Sequence, residues 1–518
     1  MQNCVSMPQL LRMGKPVNPA LIVSVFIVAS CGLAYELIMA ALASYLLGDS
    51  ILQFSSIIGL YLFSMGIGAH LTRYIPDDLA LTRFIETEML VGIIGGISAL
   101  ALFVLFGFSA APFRVILYGL VVIVGTVVGM EIPLVMRVLN QHQAEFKEIV
   151  SRVLTFDYMG ALAVSLLFPL VLAPKLGMAR SALLFGILNV AVALVTAKLF
   201  QSELRTYRSL RWRGSAIMLV LLCAFWYADQ ITYKAEQSYF GDPIVYSSAS
   251  PYQRLVVTKW HNDTRLFING NLQFSSVDEA RYHEALVLPI MEQQKNTHKV
   301  LILGGGDGFA AREVLKYPQV EHITLVDLDP EMTQLFRTSA ALTQLNQNAL
   351  NHPKVTIINA DAAQWLEQAT QTFDAIIIDL PDPSNFSLGK LYSVPMYRMV
   401  KRHLNPGGNI VVQSTSPYFA PQAFWCIVTT LEAAGLKTLP YHAYVPSFGE
   451  WGFVMASLED NFHVPTQYQV PTAFLDAQTT AQMFTFPKDM PRLTVEANHL
   501  NTQRLVEYFE ADWRAATR

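Results

Sequence analysis

KVLILGGGDGFAAREVLKYPQVEHITLVDLD, residues 299–329, decides how the second half of this chain folds. An apolar strand, Val300 to Leu303, runs into the glycine-rich turn Gly304-Gly305-Gly306-Asp307-Gly308. An amphipathic helix follows, and a second apolar strand, Ile323 to Val326, ends at Asp327. This is a β-turn-α-β unit, and sheets built from such units bind ligands at the carboxyl ends of their strands. Asp307 and Asp327 both stand at that edge.

Outward from this unit, strand and helix patterns alternate as far as Ser457, through VTIINAD, DAIIIDL, GNIVVQS and GFVMAS. That alternation predicts a largely parallel, Rossmann-like (methyltransferase-type) α/β domain over 297–457 with helices on both faces. Asn405-Pro406-Gly407-Gly408 reads as a tight turn before the fifth strand. On the N-terminal side, residues 243–275 are short alternating strands with turns at Asn262-Asp263 and Asn269-Gly270. They predict a small antiparallel β unit and leading helix over 235–296. That helix begins at Asp278-Glu279, acids suited to a helix N-terminus. The tail, 458–518, has scattered prolines and one amphipathic helix near 501–516, with no chemistry of its own.

The first 234 residues have a different composition. The chain is 53% hydrophobic and only 15% charged, which points to a membrane portion. About seven runs reach the ~20 apolar residues that cross a bilayer core. They lie near 20–47, 51–72, 88–109, 114–136, 155–174, 179–200 and 213–230. The first is too long for the apolar part of a cleavable signal peptide. The expectation is a multi-span α-helical membrane domain over 1–234, located in the cell (inner) membrane.

An N-terminus inside puts Arg12, Lys15, Arg73, Arg83, Arg137, Lys147, Arg152, Lys198, Arg205, Arg208, Arg211 and Arg213 in the cytoplasm. Only Arg114, Lys175 and Arg180 then lie outside, a strong positive-inside bias. With seven spans that orientation carries the C-terminal domain outside the cytoplasm. Glu36, Glu131 and Asp157 fall in or at the ends of the apolar runs, where ionisable groups are functional candidates or interhelical contacts. The net charge of −4 argues against nucleic acid, which needs a basic face. Cys4, Cys31, Cys223 and Cys426 show no metal-type spacing and read as small buried hydrophobes. No metal site is expected.

Five acids, Asp307, Asp327, Asp361, Asp379 and Asp382, map to successive strand ends around one crevice. An aspartate inside the glycine turn would repel a pyrophosphate, so the site suits a cationic ligand without phosphates. Asp327 fits the acid that binds ribose hydroxyls about 20 residues after the first turn, and Asp361 is placed to accept from an adenine amino group. S-adenosylmethionine carries a carboxylate that Asp307 disfavours; its decarboxylated form ends in an ammonium that Asp307 favours. The acids therefore point to aminopropyl rather than methyl transfer.

The C-terminal half resembles the spermidine synthases, the polyamine aminopropyltransferase family. The matching stretches are Tyr252-Gln253, GNLQFSSVDEARYHE (270–284), LGGGDG (303–308), LVDLD (325–329), NADA (359–362), DLPDP (379–383) and VVQS (411–414). The apolar half, with Tyr35-Glu36, GMEIP (129–133) and DYMGA (157–161), resembles the membrane part of bacterial proteins that fuse a multi-span region to this synthase.

The resemblance implies that Gln253, Asp327, Asp361 and Ala362 hold the thioadenosine part of a decarboxylated S-adenosylmethionine co-substrate, with no separate cofactor. Gly304 and Gly306 let it approach the backbone. His283 and Asp307 line the aminopropyl path, Asp379 takes the proton, Asp382 holds an amine of the diamine and Gln413 contacts the acceptor. The partners implied are a polyamine, a nucleoside-sulfonium donor and the lipid bilayer, and a homo-oligomer is compatible with this reading.

The chain departs from the family pattern in two places. Leu380-Pro381 stand between the two acids, and Phe386 replaces a later proline. The acceptor loop reads Val445-Pro446-Ser447-Phe448-Gly449-Glu450-Trp451, with Phe448 in place of a tyrosine and Glu450 adding a charge. The expected reaction makes spermidine from putrescine. The alternative is a membrane polyamine transporter or sensor with a non-catalytic synthase-like domain.

Overall fold

The computed structural model describes residues 19–47, 50–108, 110–142, 146–294 and 296–516; Cys4, Arg12 and Lys15 lie outside them. The chain divides into two compact units, Met1–Asp242 and Pro243–Arg518.

The first unit is helical: α1 (Pro19–Leu47), α2 (Ser50–Leu71), α3 (Ala80–Phe108), α4 (Ala110–Gly129), α5 (Glu131–His142), α6 (Phe146–Leu167), α7 (Ala173–Leu199) and α8 (Tyr207–Phe240). Among the described residues, six helical stretches are long and apolar enough to cross a membrane. The runs expected at 155–174 and 179–200 belong to one stretch, Phe146–Leu199. A π-helical turn, Phe168–Leu172, continues the hydrogen bonding between α6 and α7, and the axis breaks only at Gly177, where φ is 72°. The composition change placed near residue 235 falls inside α8. That helix runs on to Phe240 and stops at Gly241, a left-handed C-cap of the kind glycine favours. Cys31 is buried as expected, but Cys223 on α8 is exposed. Glu88, at the edge of an expected run, is fully buried in α3.

The second unit opens with an antiparallel sheet in the order β1 (Ile244–Ala249), β2 (Arg254–Trp260), β3 (Asp263–Ile268), β4 (Asn271–Ser275). Helix α9 (Glu279–Met291) follows. The main domain then runs β5 (Lys299–Gly304), α10 (Phe309–Leu315), β6 (His322–Asp327), α11 (Pro330–Thr338), α12 (Ala340–Leu345), β7 (Val355–Asn359), α13 (Ala362–Gln368) and β8 (Phe373–Asp379). It continues through α14 (Phe386–Gly389), α15 (Val394–Arg402), β9 (Leu404–Gln413), α16 (Pro421–Ala433), β10 (Lys437–Val445) and β11 (Gly449–Ser457). It ends with α17 (Ala477–Met483) and α18 (Arg504–Ala516).

The seven-stranded sheet has the order β10-β11-β9-β8-β5-β6-β7. Strands β9, β8, β5, β6 and β7 are mutually parallel, and β10 and β11 add an antiparallel hairpin at one edge. Val300–Leu303 and Ile376–Ile378 have no exposed surface, because a sheet covered on both faces needs unbroken apolar strands.

Two local expectations change. Asn405–Gly408 is not a turn before β9 but an excursion inside it: Phe373 pairs with Leu404 and Ala375 already with Asn409. Strand β10 was not anticipated, since its polar residues hide the alternation; the expected acceptor loop is the end of the β10–β11 hairpin.

The acids at the start of α9 do not cap it. Asp278 accepts instead from Ser447 N at 2.7 Å and Ser447 Oγ at 3.0 Å, fastening the hairpin tip. The tail is strapped along the domain. Glu284, 1% exposed, accepts backbone N–H bonds from Ala473, Phe474 and Leu475 at 2.6, 2.9 and 3.1 Å. Asp512 on α18 accepts from Gln422 N and Ala423 N at the start of α16. Charge-assisted bonds of this kind contribute about 1.5–3 kcal/mol each. Glu284→Gln is expected to destabilise the protein by roughly 2–3 kcal/mol and to speed proteolysis within 458–476, read by denaturant melts and limited digestion.

Candidate active site

Four strand ends meet at one edge of the sheet. Gly304, closing β5, packs so tightly on the end of β8 that a Cβ there would lie 2.1 Å from the Asp379 carbonyl oxygen. Its φ is +86°, a conformation glycine adopts freely. A Cβ on Gly306 would lie 2.6 Å from Asp327 Oδ2; that oxygen instead accepts from Gly306 N at 3.1 Å. The turn thus wedges between the two acids that end β8 and β6. Asp327 Oδ1 accepts from Asp329 N at 2.9 Å. Asp329 in turn caps α11 and accepts from Ser250 Oγ at 2.8 Å, which ties the turn carrying Gln253 to the end of β6.

Asp307 is buried in the turn, its Oδ1 accepting from Phe309 N at 3.0 Å and its carbonyl from Asn346 at 2.8 Å. His283 and Asp379 lie within charge reach. Asp379 Oδ1 accepts from the Tyr282 hydroxyl at 2.7 Å. His283 Nδ1 lies 2.9 Å from both the carbonyl and the Oε2 of Glu279. Both neighbours are acceptors, so Nδ1 donates to Glu279. Arg312 holds Glu279 through two bonds of 2.9 Å.

On the β9 side, Asp382 accepts from Gln413 Nε2 at 3.3 Å and Thr415 Oγ1 at 3.4 Å. Gln413 also donates to the Leu380 carbonyl at 2.6 Å, and its oxygen accepts from Thr415 N and Trp451 Nε1 at 3.1 and 3.3 Å. Every polar atom of Gln413 is therefore engaged by protein. Phe448, Trp451 and Phe453 surround the Tyr282 ring at 6.2, 6.5 and 5.4 Å between centroids. Glu450 does not join them: strand alternation turns it to the opposite face, against His442. Asp361, at the end of β7, is further along the same edge. Its Oδ1 caps α13, while Oδ2 pairs with Lys390 at 3.0 Å.

The electrostatics follow from burial. It pushes Asp307, Asp327 and Asp382 each up to about 6 and also raises Asp379. Burial acts the same way on Glu279, but the bonds from His283 and Arg312 overcome it and hold that carboxyl down at about 2. At Asp361, Lys390 and the helix amides outweigh burial and keep the group below its ordinary range. Among the described residues no group of acids, histidines and cysteines is arranged to hold a metal. Sequence reasoning missed Tyr282, Arg312 and Lys390. Tyr282 sits inside the quoted motif next to His283, and only the rotation of α9 reveals that it reaches Asp379.

A buried cleft of carboxylates at the carboxyl ends of an α/β sheet is the arrangement of an enzyme that handles cationic ligands. The chain matches the spermine/spermidine synthase domain over residues 279–468. It is 60% identical to polyamine aminopropyltransferase 2 of Ralstonia nicotianae over 97% of this chain and 99% of that protein. It is 47% identical to the polyamine aminopropyltransferase of Leptospira interrogans over 95% and 98% of the two chains. A solved spermidine synthase in complex with the transition state analogue AdoDATO aligns with 47% of this chain and 86% of its own, at 25% identity and a TM-score of 0.45. The chain belongs to the polyamine aminopropyltransferase family. It is an enzyme of aminopropyl transfer, and the reading as a non-catalytic sensor gives way to that.

The raised acids set a pH dependence of stability. A carboxyl whose pKa rises on folding favours the native state below its unfolded value near 4, and that contribution is lost as pH rises through about 6. Asp307 therefore opposes folding at neutral pH, by about 3 kcal/mol for a rise of about two units. Asp307→Asn is expected to raise the melting temperature at pH 7.5, with the gain shrinking toward pH 4.5; thermal melts across that range check it.

Proposed function

We propose that this enzyme transfers the aminopropyl group of decarboxylated S-adenosylmethionine to putrescine, giving spermidine and methylthioadenosine. The observation that carries the reading is Asp307: a carboxylate in the turn that would otherwise cradle a phosphate, set beside Asp379 and His283. Such a turn attracts an ammonium and repels the carboxylate of S-adenosylmethionine itself.

Asp327 binds the ribose hydroxyls, Gln253, Asp361 and Ala362 hold the adenine side, and the bare backbone at Gly304 and Gly306 admits the thioadenosine. Asp307 receives the ammonium of the aminopropyl chain, and His283 lines its path. Asp382 holds the far ammonium of the diamine. Gln413, with its amide already engaged, positions Asp382 rather than touching the acceptor.

An ammonium has no lone pair, so the attacking nitrogen first gives a proton to Asp379. The freed amine attacks the carbon next to sulfur, and the carbon–sulfur bond breaks with its electron pair passing to sulfur. The sulfonium becomes a neutral thioether. The step therefore needs in-line positioning rather than stabilisation of a developing anion. Tyr282 orients Asp379 through its 2.7 Å bond.

We also place the helical unit in the cell membrane as a multi-pass anchor. Its six apolar helical stretches and outward residues such as Phe63, Leu170 and Trp226, each more than two-thirds exposed, support this. The protein is expected to stay with membranes through alkaline carbonate washing; release into the supernatant would overturn that placement.

With decarboxylated S-adenosylmethionine and putrescine, Asp379→Asn is expected to lower kcat by about 10²–10⁴. Asp382→Asn is expected to act mainly on the KM for putrescine. Absence of methylthioadenosine with any diamine would sink the proposal.

A further inference from the structure

The helical unit contains buried acids that the reaction does not use. Glu88 in α3 has no exposed surface, and neither of its carboxylate oxygens has a hydrogen-bond partner. Glu131, opening α5, is 3% exposed and its Oε1 is also unpartnered. The Tyr35 hydroxyl, both amide atoms of Asn189 and the Thr196 hydroxyl are in the same state, all on fully buried residues. Among the described residues, no lysine, arginine or histidine pairs with either glutamate.

Glu88, Glu131 and Tyr35 lie within reach of one another. Glu131 also lies within charge reach of Asp157. Positions 88, 92 and 95 fall on one face of α3, at i, i+4 and i+7. The tip of the Tyr35 ring rests on that face, since a Cβ on Gly95 would lie 2.7 Å from its Cζ. Asn189 of α7 meets the same face: its Cβ would be 3.4 Å from a Cβ on Gly92, one turn from Glu88. At 1.5 Å per residue, Glu88 sits about 12 Å from the Ala80 end of α3. Glu131 and Asp157 sit about 16 Å from the His142 and Phe146 ends of their helices, a comparable depth.

An unpaired carboxylate in an apolar interior costs several kcal/mol, and buried polar groups without a partner call for one. Here the orphan atoms are mostly acceptors: Glu88 Oε1 and Oε2, Glu131 Oε1 and Asn189 Oδ1, with two hydroxyls able to accept as well. The partner they suit is a donor that carries positive charge. A multivalent metal wants several acids, histidines or cysteines gathered at one point, and no such group occurs among the described residues. A primary ammonium offers three donors and no acceptor.

We propose that Glu88 and Glu131, with Tyr35 and Asn189, form a binding site for a di- or polyamine inside the helical unit. The choice of amine rests on the reading of the second unit given above.

Equilibrium binding of radiolabelled spermidine to the full-length protein in lipid nanodiscs tests this. Asp307→Asn/Asp382→Asn, which disables the cleft of the second unit, is expected to retain one amine per chain. Adding Glu88→Gln is expected to abolish that binding, and adding Glu131→Gln instead to weaken it about tenfold or more, a loss of about 1.4 kcal/mol. Glu88→Gln alone is expected to keep aminopropyl transfer. In the wild type, spermidine is expected to protect Glu88 from dicyclohexylcarbodiimide. Loss of all binding in the cleft-disabled protein, survival of the site in both glutamine variants, or labelling of Glu88 that no amine slows would each overturn the proposal. If wild-type protein makes no methylthioadenosine yet the amine binding stands, it is the proposed reaction that fails and not this site.

Discussion

The second unit depends on a close approach between backbone segments. The turn after β5 lies against the end of β8 and against Asp327 at the end of β6, with no room for a side chain at Gly304 or Gly306. Because the backbone comes so near, one carboxylate oxygen of Asp327 is held by a turn amide, and Asp379 is fixed through its own carbonyl to Gly305. Substituting either glycine would push the two strand ends apart and move the acids that the turn now registers. The geometry of the cleft is in this sense a consequence of absent side chains.

That arrangement gathers negative charge where water is scarce. Asp307, Asp327, Asp379 and Asp382 are all held above the ordinary carboxyl range by burial, a state that opposes folding at neutral pH. The nearby Glu279 has the opposite character because Arg312 and His283 complete its hydrogen bonds. Glu279 is part of the frame, while the others are held by uncharged donors only. Glu88 and Glu131 of the helical unit are buried as well, and neither oxygen of Glu88 has a hydrogen-bond partner.

Much of this was legible along the chain. The β5-turn-α10-β6 stretch announced itself because parallel strands are continuously apolar and the turn between them is glycine. The acids at the ends of β5, β6, β7 and β8 were readable as one set because alternation of strand and helix brings every strand end to one edge. What escaped was set by side-chain direction or by distance along the sequence. Glu450 looked like an acceptor-loop charge until alternation on β11 turned it toward His442. The tail looked chemically empty, but Glu284, far away in sequence, collects its backbone amides. Strand β10 was invisible because its residues do not alternate cleanly between polar and apolar.

By itself, the sequence determined that an apolar helical half precedes an α/β half, and that the α/β half presents carboxylates where a phosphate binder would not. Those properties follow from local periodicity and residue chemistry, which need no neighbours. Only the tertiary structure decided which atoms are free. Gln413 is consumed by protein, Tyr282 reaches Asp379, and Glu88 is left with nothing to accept from. Hydrogen-bond satisfaction is a property of three-dimensional neighbourhoods. Most of the partners concerned lie dozens of residues apart or on different helices, and no periodicity in the chain records them.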